Sequence, residues 1–226
     1  MPTRHSVLAP EGARRLVLVR HGRTAWNHTR RAQGHADIEL DEVGRREGAA
    51  MARVVARLRP AGLWSSDLAR AALTAAYLAA ASGIEVQLDP RLREYSVGER
   101  SGLTRAEFAE RFPAEYAAWE ADDETLLVPG AETTADVLAR MVPALRECLE
   151  ALEPGQVGVV VTHGACLRAA MLELVGLPQS ADGVFATMGN CTWTVLQQSE
   201  TGGPVRIASY AEGVQGHGFA SEDEVG

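Results

Sequence analysis

Two short apolar runs, each ending in a histidine-glycine pair, constrain this chain more than any other feature. Leu16-Val17-Leu18-Val19 leads into Arg20-His21-Gly22, and Val157-Gly158-Val159-Val160-Val161 leads into Thr162-His163-Gly164. Apolar runs of this length, rich in β-branched residues, read as buried strands. The second has the pattern of a central strand and is followed by an apolar helix over 165–175. A chain that twice places a histidine at the carboxyl end of a buried strand is built like an open α/β sheet, where ligands bind beyond the strand ends. Neighbouring strands would bring His21 and His163 together, and the glycine after each would let backbone approach a ligand closely.

The rest of the chain supplies the alternation such a sheet needs. Helical periodicity over 41–58 stops at Pro60, and Leu63-Trp64 is a brief strand. An alanine-rich helix spans 67–81, with Ser65 or Ser66 as its expected N-cap and Gly83 beyond its end. Residues 84–88 alternate toward another strand. A long helix over 132–152 contains Pro143 and should carry Glu132 in its first turn. Residues 191–197 read as a late strand, antiparallel and at an edge. Between these elements, 90–131 is irregular but holds Tyr95, Phe108, Phe112, Tyr116 and Trp119, which argues against disorder. The expected architecture is a three-layer α/β fold: a mostly parallel sheet, helices on both faces and a small helical cap inserted at about 95–131. One domain is expected over 1–226, with a loose tail from about 213 to 226.

Composition narrows the chemistry. The 226 residues hold 22 basic side chains, all arginine, against 30 acids, for a net charge of −8. That balance disfavours a general nucleic-acid binder. Without lysine there is no Schiff-base chemistry and no P-loop. The balance is uneven: residues 1–60 carry twelve Arg and six acids, so the positive excess lies around the first strand. Three widely spaced cysteines, Cys148, Cys166 and Cys191, argue against a disulfide framework or a zinc site and suit a reducing, cytoplasmic setting. No segment has the apolar length of a signal or membrane span.

An arginine beside a histidine suits an anion, because guanidinium binds phosphate oxygens bidentately. A neutral imidazole can attack phosphorus. Competing chemistries lack their residues. Cys166 is followed at the sixth position by Leu172, not by the arginine of a cysteine-phosphatase loop. Asp-x-Asp, His-Glu-x-x-His and Gly-x-Ser-x-Gly are all absent. Neither a metal nor an organic cofactor is expected.

The run Leu18-Val19-Arg20-His21-Gly22-Arg23-Thr24-Ala25-Trp26-Asn27 resembles the signature of the histidine phosphatase superfamily, also called phosphoglycerate-mutase-like. Gln33-Gly34, Ser65-Ser66-Asp67-Leu68-Ala69-Arg70-Ala71, Leu92-Arg93-Glu94, Pro129-Gly130-Ala131-Glu132 and Thr162-His163-Gly164 continue the likeness, from about residue 15 to 210. The resemblance implies that His21 becomes the phosphohistidine and that Arg20, Arg70 and His163 bind the phosphoryl oxygens. It also implies that Asn27 and Gln33 add contacts to the same group and that Glu94 protonates the leaving oxygen. It implies a small phosphomonoester as substrate. Read without it, Arg70 could be an exposed helix residue and Glu94 a surface ion pair.

Mutases of the superfamily carry a basic segment in the cap. From Glu107 to Glu132 this chain has only Arg111, which favours hydrolysis over mutase action. The stretch Met188–Thr194 is similar to that of actinobacterial phosphatases of the superfamily, making glucosyl-3-phosphoglycerate one candidate substrate. The alternatives are phosphoglycerate-mutase-type transfer and a non-catalytic sensor of phosphorylated ligands. A homodimer is also compatible with the sequence. Of the remaining histidines, His5, His28, His35 and His217, only His35 lies near a candidate site residue. Phe112, Tyr116 and Trp119 could stack on a substrate or pack the cap.

Overall fold

The computed structural model describes residues 12–199 and 202–214. Strand β1 (Arg14–Arg20) is followed by the single-turn helix α1 (Ala25–His28) and by α2 (Glu42–Val55). Next come β2 (Gly62–Ser65), α3 (Ala69–Ser82) and β3 (Gln87–Leu88). The cap holds α4 (Arg105–Arg111) and α5 (Pro113–Glu120), after which α6 (Thr134–Glu150) leads to β4 (Val157–Thr162). Helix α7 (Gly164–Leu174), β5 (Trp193–Gln198) and β6 (Val205–Glu212) complete the described chain.

The strands form one sheet in the order β3-β2-β4-β1-β5-β6. The first four are parallel, and β5 and β6 add antiparallel pairs beside β1. Period-2 alternation explains why both faces are covered. Leu16 and Leu18 point into a core built with Met141, Leu145, Leu149, Leu167 and Met171 of α6 and α7. Val17 and Val19 point into a second core with Met51, Val55, Ala71, Ala75 and Leu78 of α2 and α3. The three-layer α/β architecture expected from the sequence is present.

Several local expectations need correction. Helix α3 starts at Ala69 with no side-chain cap from its N-cap residue Leu68; Asp37, from a distant loop, accepts the Ala69 N–H at 2.6 Å instead. Glu132 lies outside α6, whose cap is Thr133 and whose first-turn acid is Asp136. Glu132 pairs with Arg140 and accepts the Ser96 N–H. Strand β5 is antiparallel, but β6 occupies the edge. The expected strand at 84–88 shrinks to two residues. In the cap, Phe108 is buried, and its ring contacts Phe112, Tyr116 and Trp119, so these aromatics pack the cap itself. Arg100 and Arg105, inside the expected cap but ahead of the 107–132 stretch, stack on Trp119. Most of the expected loose tail, with His217, lies outside the described residues, as does His5. No helix among the described residues is long and apolar enough to cross a membrane.

Candidate active site at the carboxyl ends of β1 and β4

Strands β1 and β4 pair in parallel register, with Arg20 opposite Thr162. The His21 amide extends that ladder by donating to the Thr162 carbonyl at 3.0 Å. The next residue on each strand is therefore a histidine, and the two rings lie edge to face with centroids 5.1 Å apart. Both are buried, together with Arg20 and Arg70.

Each side chain is held by its own surroundings. His21 Nδ1 lies 2.7 Å from the Gly22 carbonyl, which can only accept, so Nδ1 carries the proton and Nε2 is left with a lone pair. Its pKa is driven well below the usual 6.5, first by burial and then by Arg70 and Arg20. Arg20 donates from Nη1 to the Met188 carbonyl at 2.5 Å. Arg70 donates from Nη1 to Ala36 and from Nη2 to Gly34. Burial brings its pKa down to about 10, so it remains a cation at neutral pH. His163 Nε2 is 2.9 Å from Ser66 Oγ. Its pKa is also well below 6.5, from burial first and Arg70 next.

Glu94 comes from the loop after β3. Its Oε1 accepts the Tyr95 and Cys166 amides, and Oε2 accepts the Ala165 amide at 3.0 Å. The first turn of α7 thus fixes this carboxylate, and its proximity helps keep Arg70 a cation. The Glu94 carbonyl is held by Arg140 Nη2 and by His35 Nε2, both at 2.8 Å. Asn27 Oδ1 closes a capping box with Thr24 and lies 3.5 Å from Asn190 Nδ2, which donates to the His21 carbonyl. Gln33 adjoins Gly34, and its Oε1 is buried without a partner.

Two donor-capable atoms of this cradle are also buried without partners: Arg70 Nε and His163 Nδ1. Unsatisfied buried polar groups are rare and costly, and their concentration here fits an anion arriving from solution. The glycines act otherwise than the sequence suggested. A Cβ on Gly22 would meet the Gly44 carbonyl oxygen at 2.6 Å, and one on Gly164 would meet Arg20 Nε at 3.3 Å. At both positions protein atoms occupy the space a Cβ would need.

The structure brings His21, Arg20, Arg70, His163 and Glu94 into one cluster; Asn27 and Gln33 connect to it through neighbours, Asn27 beside Asn190 and Gln33 next to Gly34, whose carbonyl Arg70 holds. Sequence reasoning missed Ser66, Asn190 and Arg140. Ser66 and Asn190 lie inside stretches that carried the family likeness, yet their partners are 97 and 169 residues away in sequence. Among the described residues, no group of three or more His, Cys, Asp or Glu is arranged to hold a metal ion.

Residues 16–209 match the histidine phosphatase superfamily (branch 1). The chain belongs to that superfamily. It is 39% identical over 191 residues to glucosyl-3-phosphoglycerate phosphatase of Mycobacterium tuberculosis, covering 81% of this chain and 85% of that protein. It is 40% identical over 162 residues to a metal-independent phosphoserine phosphatase of Arabidopsis thaliana, covering 70% and 68%. Among solved structures, mycobacterial glucosyl-3-phosphoglycerate phosphatase complexed with VO3 superposes with a TM-score of 0.78 at 37% identity, covering 88% of this chain and 98% of that one. Within the histidine phosphatase superfamily, its named relatives thus include phosphatases acting on small phosphorylated metabolites.

Proposed function

We propose that this protein hydrolyses small phosphomonoesters through a phosphohistidine at His21, with glucosyl-3-phosphoglycerate as a candidate substrate. The observation that carries the reading is the cradle itself: a bare imidazole nitrogen beside buried, unpartnered cation and ring nitrogens.

Phosphoryl transfer asks for positioning and for positive charge around the equatorial oxygens. Arg20, Arg70 and His163 supply both, and Asn27 and Gln33 add contacts to the same group in this reading. His21 Nε2 attacks phosphorus as the bond to the leaving oxygen breaks. Positive charge then grows on the ring, and the Gly22 carbonyl at Nδ1 stabilises it. Glu94 takes up the proton that the phosphomonoester monoanion brings and passes it to the leaving oxygen. Oε2 is the better-placed atom for this, since it accepts one backbone N–H where Oε1 accepts two. In the second half, the Glu94 carboxylate takes a proton from water, the oxygen attacks phosphorus, and the P–N bond breaks. Three buried free cysteines suit a cytoplasmic enzyme.

The test uses a chromogenic aryl phosphate and an alkyl phosphate, with chelator present. Both should be turned over. Glu94→Gln should slow the alkyl ester by at least about tenfold more than the aryl ester, because a phenolate needs less protonation. Equal losses on both would remove Glu94 from the acid role. Given 3-phosphoglycerate, the enzyme should release phosphate faster than it forms the 2-isomer. The reverse order would make it a mutase, and phosphate binding without turnover would make it a sensor.

A further inference from the structure

We propose that Ser66 sets the tautomer of His163, so that its imidazole presents an N–H from Nδ1 to the phosphoryl group. The proposal rests on the reading of His163 as a phosphoryl-oxygen ligand.

Ser66 follows β2 and is completely buried. Its amide donates to the Val161 carbonyl at 2.9 Å, which anchors it to the end of β4. Its Oγ has two neighbours: the Leu68 amide at 3.3 Å and His163 Nε2 at 2.9 Å. A hydroxyl offers one proton and two lone pairs. The Leu68 N–H takes a lone pair, because an amide can only donate.

The His163 contact can run in two directions. If Nε2–H donated to Oγ, the Ser66 proton would have no acceptor among the described residues. His163 Nδ1 would then turn a lone pair on the phosphoryl oxygens, acceptor against acceptor. If Oγ–H donates to Nε2, both faults vanish. The hydroxyl is satisfied, and the ring proton must sit on Nδ1, the nitrogen that is buried without a protein partner. Burial and the neighbouring cations keep this imidazole uncharged, so a second ring proton is not available by default and the tautomer decides whether it can donate.

The two histidines thereby hold the same tautomer for opposite ends. His21 fixes its Nδ1 proton on the Gly22 carbonyl and exposes the Nε2 lone pair. His163 fixes its Nε2 lone pair on Ser66 and exposes the Nδ1 proton. One ring attacks and the other donates. Ser66 is a positioning residue, acting only through His163.

The decisive experiment is a long-range ¹H–¹⁵N correlation spectrum of the ¹⁵N-labelled enzyme saturated with inorganic phosphate at neutral pH. It reads which His163 nitrogen bears the proton. The proposal expects a protonated Nδ1 and a bare Nε2 in the wild type, a measurement that needs no variant. Ser66→Ala should move the proton toward Nε2 and weaken inhibition by phosphate by about tenfold, the scale of one hydrogen bond. Ser66→Thr, which keeps the hydroxyl, should restore both. A proton on Nε2 in the wild-type complex overturns the proposal, as does a Ser66→Ala enzyme with tautomer and phosphate affinity unchanged. A His163→Ala enzyme that binds phosphate as tightly as wild type would instead remove the ligand reading beneath it.

Discussion

Arg70 uses both terminal nitrogens on the protein, on the carbonyls of Gly34 and Ala36, and keeps Nε for the cradle. A lysine carries one compact ammonium and cannot span two carbonyls while also reaching an anion. Arg70→Lys should therefore cost about 100-fold or more in kcat/KM on an aryl phosphate, the scale of losing an oxyanion donor. Retention of near-wild-type activity would show that charge alone suffices. The buried histidines make a second prediction, with its sign fixed by linkage. Both are held neutral in the folded state, while the unfolded chain protonates as pH falls through about 6.5. Between that pH and the lowered native values, the unfolded state binds more protons, so stability is full above 6.5 and declines below it. The loss is at most about 1.4 kcal/mol per pH unit for each histidine. The carboxylates held low by arginine, Asp67 and Asp89 among them, start from 3.8 and act in a more acid window. Urea denaturation of wild type and His163→Gln between pH 7.5 and 5.5 checks this. The variant should lose part of the slope, and a flat wild-type profile would contradict the account.

At the scale of elements, the site depends on how closely the loop after β1 packs on α2. A Cβ on Gly44 would sit 2.0 Å from the Arg23 carbonyl oxygen, and one on Gly22 would press on Gly44. These contacts are backbone to backbone, so no side chain can swing away. Gly44→Ala should destabilise the protein by about 1–3 kcal/mol in chemical denaturation and displace the His21 loop, lowering activity as well. Unchanged stability would show that the loop yields easily. Much at this scale was legible in sequence. The β1 and β4 runs are apolar and β-branched, and Gly83 ends α3 as a left-handed C-cap. The misses share a cause. Asp37 caps α3 from a loop 32 residues upstream. Glu132 leaves the first turn of α6 because Arg140 and the Ser96 amide hold it. Strand β6, Val205–Glu212, went unread because its alternation is weak and only Val205 is fully buried. Local propensity carries no information about partners supplied by distant chain.

For the molecule as a whole, a four-stranded parallel core extended by two antiparallel strands places the ends of β1 and β4 side by side, and α7 then aims its first turn at Glu94. Arg70 and Glu94 came only from the family resemblance, whereas Arg20, His21 and His163 were legible as candidates because two strand–histidine junctions and their arginine appear locally in sequence. Their support was not: Ser66, Asn190 and Arg140 act through contacts that only the folded chain creates. Two short helices, α4 and α5, fall in the 95–131 stretch read as an inserted cap, and the packing of its aromatics on one another could be read only from the folded chain. Phe108 is the ring that Phe112, Tyr116 and Trp119 gather around. Arg100 and Arg105 stack on Trp119, ahead of the 107–132 stretch whose single arginine argued against a mutase. The phosphohistidine is a covalent species and can be trapped. Rapid acid-free quenching of the enzyme during turnover of a ³²P-labelled phosphomonoester, followed by peptide mapping, should find an alkali-stable, acid-labile phosphoryl group on the peptide containing His21. It should be absent in His21→Ala. Full turnover with no such adduct, or turnover that persists in His21→Ala, would contradict the account.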